Sequence, residues 1–209
     1  MQAHLKHIGE GGILVFLDLE KAFDRCDWSY LHAALRKLRF TAPFTSWIDM
    51  LYDESKGVKR KVLANGFLSN EYTVKVGTAQ GCPLSPLLFL VIVEGFTRCV
   101  NNDSSLLGIQ IGNLHHKISH FADDTIGFLK GISMLPAFEG HIKTFCEATN
   151  MKENEAKRDY LGIGAFGTLP SVALEGAKCI WSEAKQRFVN PGWTLGLSLG
   201  NTLSLLAFR

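Results

Sequence analysis

Three aspartates stand where carboxylates could do chemistry. Asp18 ends the apolar run Ile13-Leu14-Val15-Phe16-Leu17, and Asp123-Asp124 follows the run Lys117 to Ala122. Carboxylates converging from separate rigid strands can hold two divalent ions about 3.5–4 Å apart, the arrangement used for phosphoryl transfer. One ion lowers the pKa of an attacking 3′-hydroxyl, and the other steadies the leaving pyrophosphate. Magnesium suits such a site because it takes oxygen ligands and keeps several waters. Two or three carboxylates plus substrate phosphates then suffice. The plainer alternative stays open on these residues alone, because aspartate is a common turn residue and a common strand terminus.

The surrounding pattern decides how these residues could be positioned. Gly11-Gly12 precedes Ile13 to Leu17, a short apolar run that reads as a buried strand. Asp27 is a good N-cap, and Leu31, Ala34, Leu35 and Leu38 recur behind it at helical spacing. A second helix is expected after Pro43, with Phe44, Trp47, Ile48 and Leu51 on one face. Val58 to Leu63 and Glu71 to Val76 read as strands around Asn65-Gly66, joined by a loop longer than two residues. Pro83 to about Val100 predicts a long buried helix with proline in its first turn.

Gly108 to Gly112, Lys117 to Ala122 and Thr125 to Leu129 read as short strands, which puts Asp123-Asp124 at a hairpin tip. Ser133 to Thr149 is expected to be a helix facing inward with Leu135, Phe138, Ile142 and Phe145. Tyr160 to Ile163 is the last strand with a convincing pattern. Strands and helices in this order predict an α+β domain, an antiparallel sheet with helices packed on one face.

Composition narrows the setting. Of 209 residues 46% are apolar, enough for a real core, and 20% are charged. A net charge of +2 creates no strong global field, so a nucleic-acid partner would need locally placed positive charge. The five cysteines, Cys26, Cys82, Cys99, Cys146 and Cys179, show no CxxC spacing and suggest neither a zinc site nor a disulfide frame. The N-terminus lacks signal-peptide architecture. The apolar stretch from Pro83 to Val93 is too short to span a bilayer, so no membrane partner is expected.

Four strings carry a resemblance. Phe16-Leu17-Asp18-Leu19-Glu20-Lys21-Ala22-Phe23-Asp24 resembles motif A of reverse transcriptases from non-LTR (LINE-like) retrotransposons. The run from Gly77 to Phe89, GTAQGCPLSPLLF, resembles their motif B. Phe121-Ala122-Asp123-Asp124 resembles motif C, and Asn154 with Lys157 resembles the asparagine–lysine pair of motif D. FADD alone is a weak signal and QGCPLSPLLF a strong one. All four stand in the family's order, and the likeness runs from about Ile13 to Gly164.

The resemblance implies a polymerase palm and RNA-directed DNA synthesis on an RNA template and DNA primer, with dNTP as substrate. It implies two Mg2+ ions, with Mn2+ able to replace them, held by Asp18, Asp123, Asp124 and the backbone carbonyl of Leu19. Phe23 would sit under the incoming sugar and block a 2′-hydroxyl, which speaks against an RNA-dependent RNA polymerase. Gln80 and Gly81 would line the nucleotide side, and Lys157 would approach the pyrophosphate as a general acid. Core packing for Phe23, a plain loop for Gln80 and Gly81, and a solvated surface for Lys157 are the competing readings. Lys21 and Asp24 are expected to fix local structure.

The sequence departs from the family at Ala79, where relatives carry an arginine before the motif B glutamine. The expected organisation is a remnant of a fingers connection over 1–12, a palm over 13–164 and a weakly patterned tail over 165–209. Fingers and thumb are expected to be largely missing. A second function class follows: a catalytically silent palm remnant that binds nucleic acid weakly at most. His115, His116 and His120 cluster near Asp123 without an evident fourth ligand, so exposed or hydrogen-bonded histidines are expected. Lys59, Arg60 and Lys61 could touch a template phosphate, although an edge strand carrying lysines is the commoner explanation. Trp181 and Trp193 are expected to pack rather than stack on bases. A nuclear compartment is compatible with the family, but no localisation signal is visible.

Overall fold

The structure, a computed structural model, describes residues 11–111, 113–164, 180–182 and 187–189. Most of the expected fingers connection and tail, including Trp193, lies outside these residues. The first described element is β1 (Gly11–Leu17), a seven-residue strand. A single turn of helix, α1 (Ala22–Arg25), and then α2 (Trp28–Lys37) and α3 (Ala42–Leu51) follow. Asp27 caps α2 as expected: its Oδ1 accepts from the Tyr30 N–H at 2.9 Å.

Two small ladders come next. β2 (Val58–Arg60) pairs with β5 (Tyr72–Val74), and β3 (Leu63–Ala64) pairs with β4 (Phe67–Leu68). Ala64 and Phe67 are direct partners, so Asn65-Gly66 is a two-residue turn, not the longer loop expected. Asn65 has φ 51° and Gly66 φ 82°, the pair of left-handed residues a type I′ hairpin needs.

Helix α4 (Ser85–Asn102) starts two residues later than expected, with Pro86 in its first turn. β6 (Ile109–Ile111) and β7 (Leu114–His116) form a hairpin whose second strand the sequence reading missed. β8 (Ile118–Phe121) and β9 (Asp124–Leu129) form the next hairpin. Helix α5 (Leu135–Thr149) buries Leu135, Phe138, Ile142 and Phe145, the expected inner face. β10 (Asp159–Gly164), β11 (Ile180–Ser182) and β12 (Arg187–Val189) complete the chain's described elements.

The main sheet runs β11-β12-β10-β1-β9-β8, all neighbours antiparallel. The sequence reading ended the sheet at β10; β11 and β12 extend it. Alternation along β1 builds two layers. Ile13, Val15 and Leu17 face a core shared with Leu31 and Leu35 of α2, Phe89 and Ile92 of α4, and Phe138 and Phe145 of α5. Leu14 and Phe16 face the other way, with Phe128, Leu161, Ile163 and Ile109. Helix α3 carries the four expected residues on one face, and that face is only partly covered. Ile48 is buried and Phe44 half-buried, but Trp47 is 64% exposed and Leu51 is also exposed. Phe44 instead stacks on Phe40, ring centroids 5.2 Å apart. Among the described residues no helix is long and apolar enough to cross a membrane.

Candidate active site

β1 and β9 place the acidic residues. Leu17 pairs with Thr125 and Phe16 with Ile126, so continuing the register sets Asp18 opposite Asp124. Alternation carries Asp18 onto the face of Leu14 and Phe16, away from the helices. Phe121 pairs with Asp124, leaving Ala122-Asp123 as a two-residue hairpin turn. Ala122 takes φ 54°, a left-handed conformation costing a non-glycine residue about 1–2 kcal/mol. Asp123 thus sits in a tight, strained turn and Asp124 at the first position of β9, both beside the end of β1.

The carboxylates feel one another. Partial burial first, and then the charges of Asp123 and Asp18, push the Asp124 pKa above the ordinary carboxylate value. On the opposite side, Lys157 Nζ lies 3.3 Å from Asp18 Oδ2. The Asn154 N–H donates to the Asp18 carbonyl at 2.9 Å, and the Glu20 N–H donates to the Lys152 carbonyl at 2.8 Å. Between these two bonds Leu19 and Glu153 form an isolated antiparallel bridge, which leaves the Leu19 carbonyl out of its hydrogen bonding.

The Gly77–Gly81 loop docks on α1. Gly77 N–H donates to the Cys26 carbonyl at 2.8 Å, and Thr78 N–H donates to the Phe23 carbonyl at 2.7 Å. Trp28 Nε1 donates to the Gly77 carbonyl at 2.9 Å. Phe23 is half-buried, its ring 4.8 Å from that of Phe89 on α4. Gln80 Nε2 reaches the Asp24 carboxylate, and Gly81 is exposed at φ 80° with open space around its α-carbon. The fold therefore brings Asp18, Asp124 and Lys157 to one end of the sheet, with Leu19 and Asp123 flanking them. Phe23, Gln80 and Gly81 follow on the adjoining helix and loop.

The sequence reading missed the contacts that Arg158 makes from the 152–158 loop. Arg158 donates from Nε to Glu153 Oε1 at 2.6 Å and from Nη2 to Glu153 Oε2 at 2.5 Å. Its Nη1 reaches Glu139 of α5. Burial works against the guanidinium charge, yet Glu153 and Tyr160 together hold the pKa above its ordinary value. An arginine beside the expected Lys157, with acidic residues five and nineteen positions before it, gives no recognisable spacing signal.

The histidines are not drawn together. His115 is exposed, His116 packs its ring 6.1 Å from Phe128, and His120 Nδ1 lies 2.8 Å from Thr125 Oγ1. On the 58–74 hairpin Lys59 pairs with Glu71 at 2.9 Å, as suits a solvated edge.

An antiparallel α+β sheet backed by helices, with acidic residues at two adjacent strand ends, defines a palm-like domain. The chain belongs to the reverse transcriptase (RNA-dependent DNA polymerase) family, whose model matches residues 2–189. Over 147 residues it is 26% identical to the retrovirus-related Pol polyprotein from the type-2 retrotransposable element R2DM of Drosophila melanogaster, covering 70% of this chain and 13% of that protein. It is 27% identical to the transposon TX1 uncharacterized 149 kDa protein of Xenopus laevis, covering 72% of this chain and 11% of the other. A Pol polyprotein from retrotransposable element R2 of Popillia japonica is 25% identical, over 88% of this chain and 26% of its own length. The chain thus spans about a tenth to a quarter of these relatives.

The fold is shared with apo telomerase from Candida tropicalis at a TM-score of 0.53 and 14% identity, covering 78% of this chain and 33% of the other. Telomerase from Candida albicans, in complex with a fragment of telomeric RNA, matches at a TM-score of 0.53 and 14% identity, covering 98% and 35%.

The family implies dependence on a divalent metal. Among the described residues no group of three or more His, Cys, Asp or Glu is gathered closely enough to form a ready metal cage. The donor set nevertheless fits a hard cation. Asp18, Asp123 and Asp124 offer only oxygen, and their mutual repulsion at Asp124 is what a cation would relieve.

Proposed function

We propose that the chain is the palm core of a non-LTR retrotransposon reverse transcriptase, which adds deoxynucleotides to a primer 3′-hydroxyl on an RNA template. The observation that carries this reading is the facing of Asp18 and Asp124 at adjacent strand ends, with Asp123 beside them. Asp18, Asp123, Asp124 and the Leu19 carbonyl would hold two Mg2+ ions, which when bound activate the 3′-hydroxyl and steady the pyrophosphate. Lys157 would protonate the leaving pyrophosphate, a role supported by the 3.3 Å distance from its Nζ to Asp18 Oδ2. Phe23, backed by Phe89, would form the wall that excludes a 2′-hydroxyl. Gln80 and the open α-carbon of Gly81 would face nucleotide and primer–template.

Metal binding and extension test the proposal together. Calorimetric titration with Mn2+ is expected to show binding that both Asp18→Asn and Asp123→Asn weaken at least tenfold. Binding unaffected by these changes would remove the metal role. With a primed RNA template, extension with dNTPs but not NTPs, lost in Asp123→Asn, supports the enzyme. Metal binding without extension supports the silent palm remnant instead.

A further inference from the structure

Arg158 follows Lys157 directly, and its guanidinium joins three parts of the fold. It forks onto both oxygens of Glu153, at 2.6 and 2.5 Å, and it contacts Glu139 on α5. Its Nη1 also lies 3.4 Å from the Tyr160 hydroxyl on β10, which donates to Glu139 Oε1 at 3.3 Å. Glu153 in turn sits at the bridge with Leu19, between the Glu20–Lys152 and Asn154–Asp18 backbone bonds. The Arg158 side chain therefore ties the loop carrying Lys157 to α5 directly, and to the segment carrying Asp18 only through Glu153.

We infer that Arg158 is a positioning residue, a clamp that holds the 152–158 loop against the end of β1 and keeps the Lys157 ammonium beside Asp18. The Lys157–Asp18 pair is itself 39% and 33% exposed, and ion pairs at such exposure contribute little to holding a loop. The clamp is far more sheltered, with the Glu153 side chain 8% exposed and that of Arg158 16%. Removing the guanidinium strands the Glu153 carboxylate without its partner, and a buried unpaired charge drives rearrangement toward water. The route open to Glu153 is outward, which pulls on the bridge to Leu19. A planar fork matches both carboxylate oxygens at once, a geometry lysine cannot reproduce.

The consequence for Lys157 rests on the polymerase reading, but the clamp does not, so the test has two arms. In the first, amide hydrogen exchange is measured by NMR on the full chain. Arg158→Gln is expected to speed exchange of the Glu20 and Asn154 amides at least about tenfold while β9 amides stay unchanged. Arg158→Lys should fall between. Glu153→Gln loosens the same amides and serves if Arg158→Gln does not fold. Unchanged Glu20 and Asn154 amides, or equal acceleration in β9, overturn the clamp.

In the second arm, Arg158→Gln is expected to lower kcat for primer extension about tenfold with KM for dNTP within about twofold. It should add nothing in a Lys157→Ala background. Loosened amides with kcat unchanged overturn the positioning role. Loosened amides in a chain whose wild type extends no primer leave the clamp standing and overturn the polymerase reading.

Discussion

Gln80 Nε2 lies 3.3 Å from one carboxylate oxygen of Asp24 and 3.4 Å from the other, a contact that spans 56 residues of sequence. It joins the loop proposed to face nucleotide to the helical turn carrying Phe23. The bond is exposed and long, so its contribution is modest, about 0.5–1 kcal/mol. Asp24→Ala is expected to raise KM for dNTP about threefold with kcat little changed, because the freed glutamine must be ordered on binding. Asp24→Asn keeps an acceptor and should stay near wild type. A double-mutant cycle with Gln80→Ala measures the coupling, and strictly additive effects would show that Asp24 does not act through Gln80.

Gly77 is where the same loop meets α1 most closely. It is buried at φ 82°, and a Cβ built on it would stand 2.6 Å from the Asp24 carbonyl oxygen. That neighbour is backbone and cannot swing aside. Gly77→Ala should destabilise the fold by about 2–4 kcal/mol. Gly66 has the same φ and nothing near its α-carbon, so Gly66→Ala should cost only about 1 kcal/mol. Urea unfolding of the two variants separates crowding from backbone conformation.

These two glycines also show what the sequence could reveal. Ile13 to Leu17, the Asp27 cap and the inner face of α5 were legible because apolar periodicity and capping chemistry are local. The hairpin tip was legible from the flanking strands to within one residue, the turn being Ala122-Asp123 with Asp124 already in β9. Strands of two or three residues such as β3, β4 and β7 were not, since they are too short to show alternation. The exposure of Trp47 was not legible, because helical spacing reports an apolar face without saying what covers it. The Asp24–Gln80 and Arg158–Glu139 contacts were invisible because they depend on distant elements meeting in space.

His120 predicts an acid-side loss of stability. Burial lowers its pKa to about 4, Glu94 opposing the shift only weakly, and its Nε2 is buried without a hydrogen-bond partner. The unfolded chain takes up a proton near the ordinary value of 6.5, whereas the folded chain resists until about 4. Stability from neutral His120 is therefore complete above pH 6.5 and is lost as pH falls toward 4, by about 2–3 kcal/mol. His120→Asn retains a partner for Thr125 and cannot charge. Urea unfolding across this range should give a shallower slope for the variant, and equal slopes would assign the loss to other groups.

Asp124 predicts the opposite sign. Its pKa is raised, so the folded chain holds a proton on Asp124 at pH values where the unfolded chain has released it. Stability from this group falls as pH rises through that window, and the full penalty is present at neutral pH. Asp124→Asn removes the charge and keeps the shape. Its Tm should exceed that of wild type at about pH 7, and the gap should close below the ordinary carboxylate value of 3.8. Extension should fall sharply in the same variant, because on the proposed function Asp124 would be a metal ligand. Added Mg2+ should raise the wild-type Tm more than the variant's, because a bound ion offsets the repulsion only where Asp124 carries charge. If Asp124→Asn is no more stable at neutral pH, neither burial nor the neighbouring carboxylates destabilise the ionised Asp124.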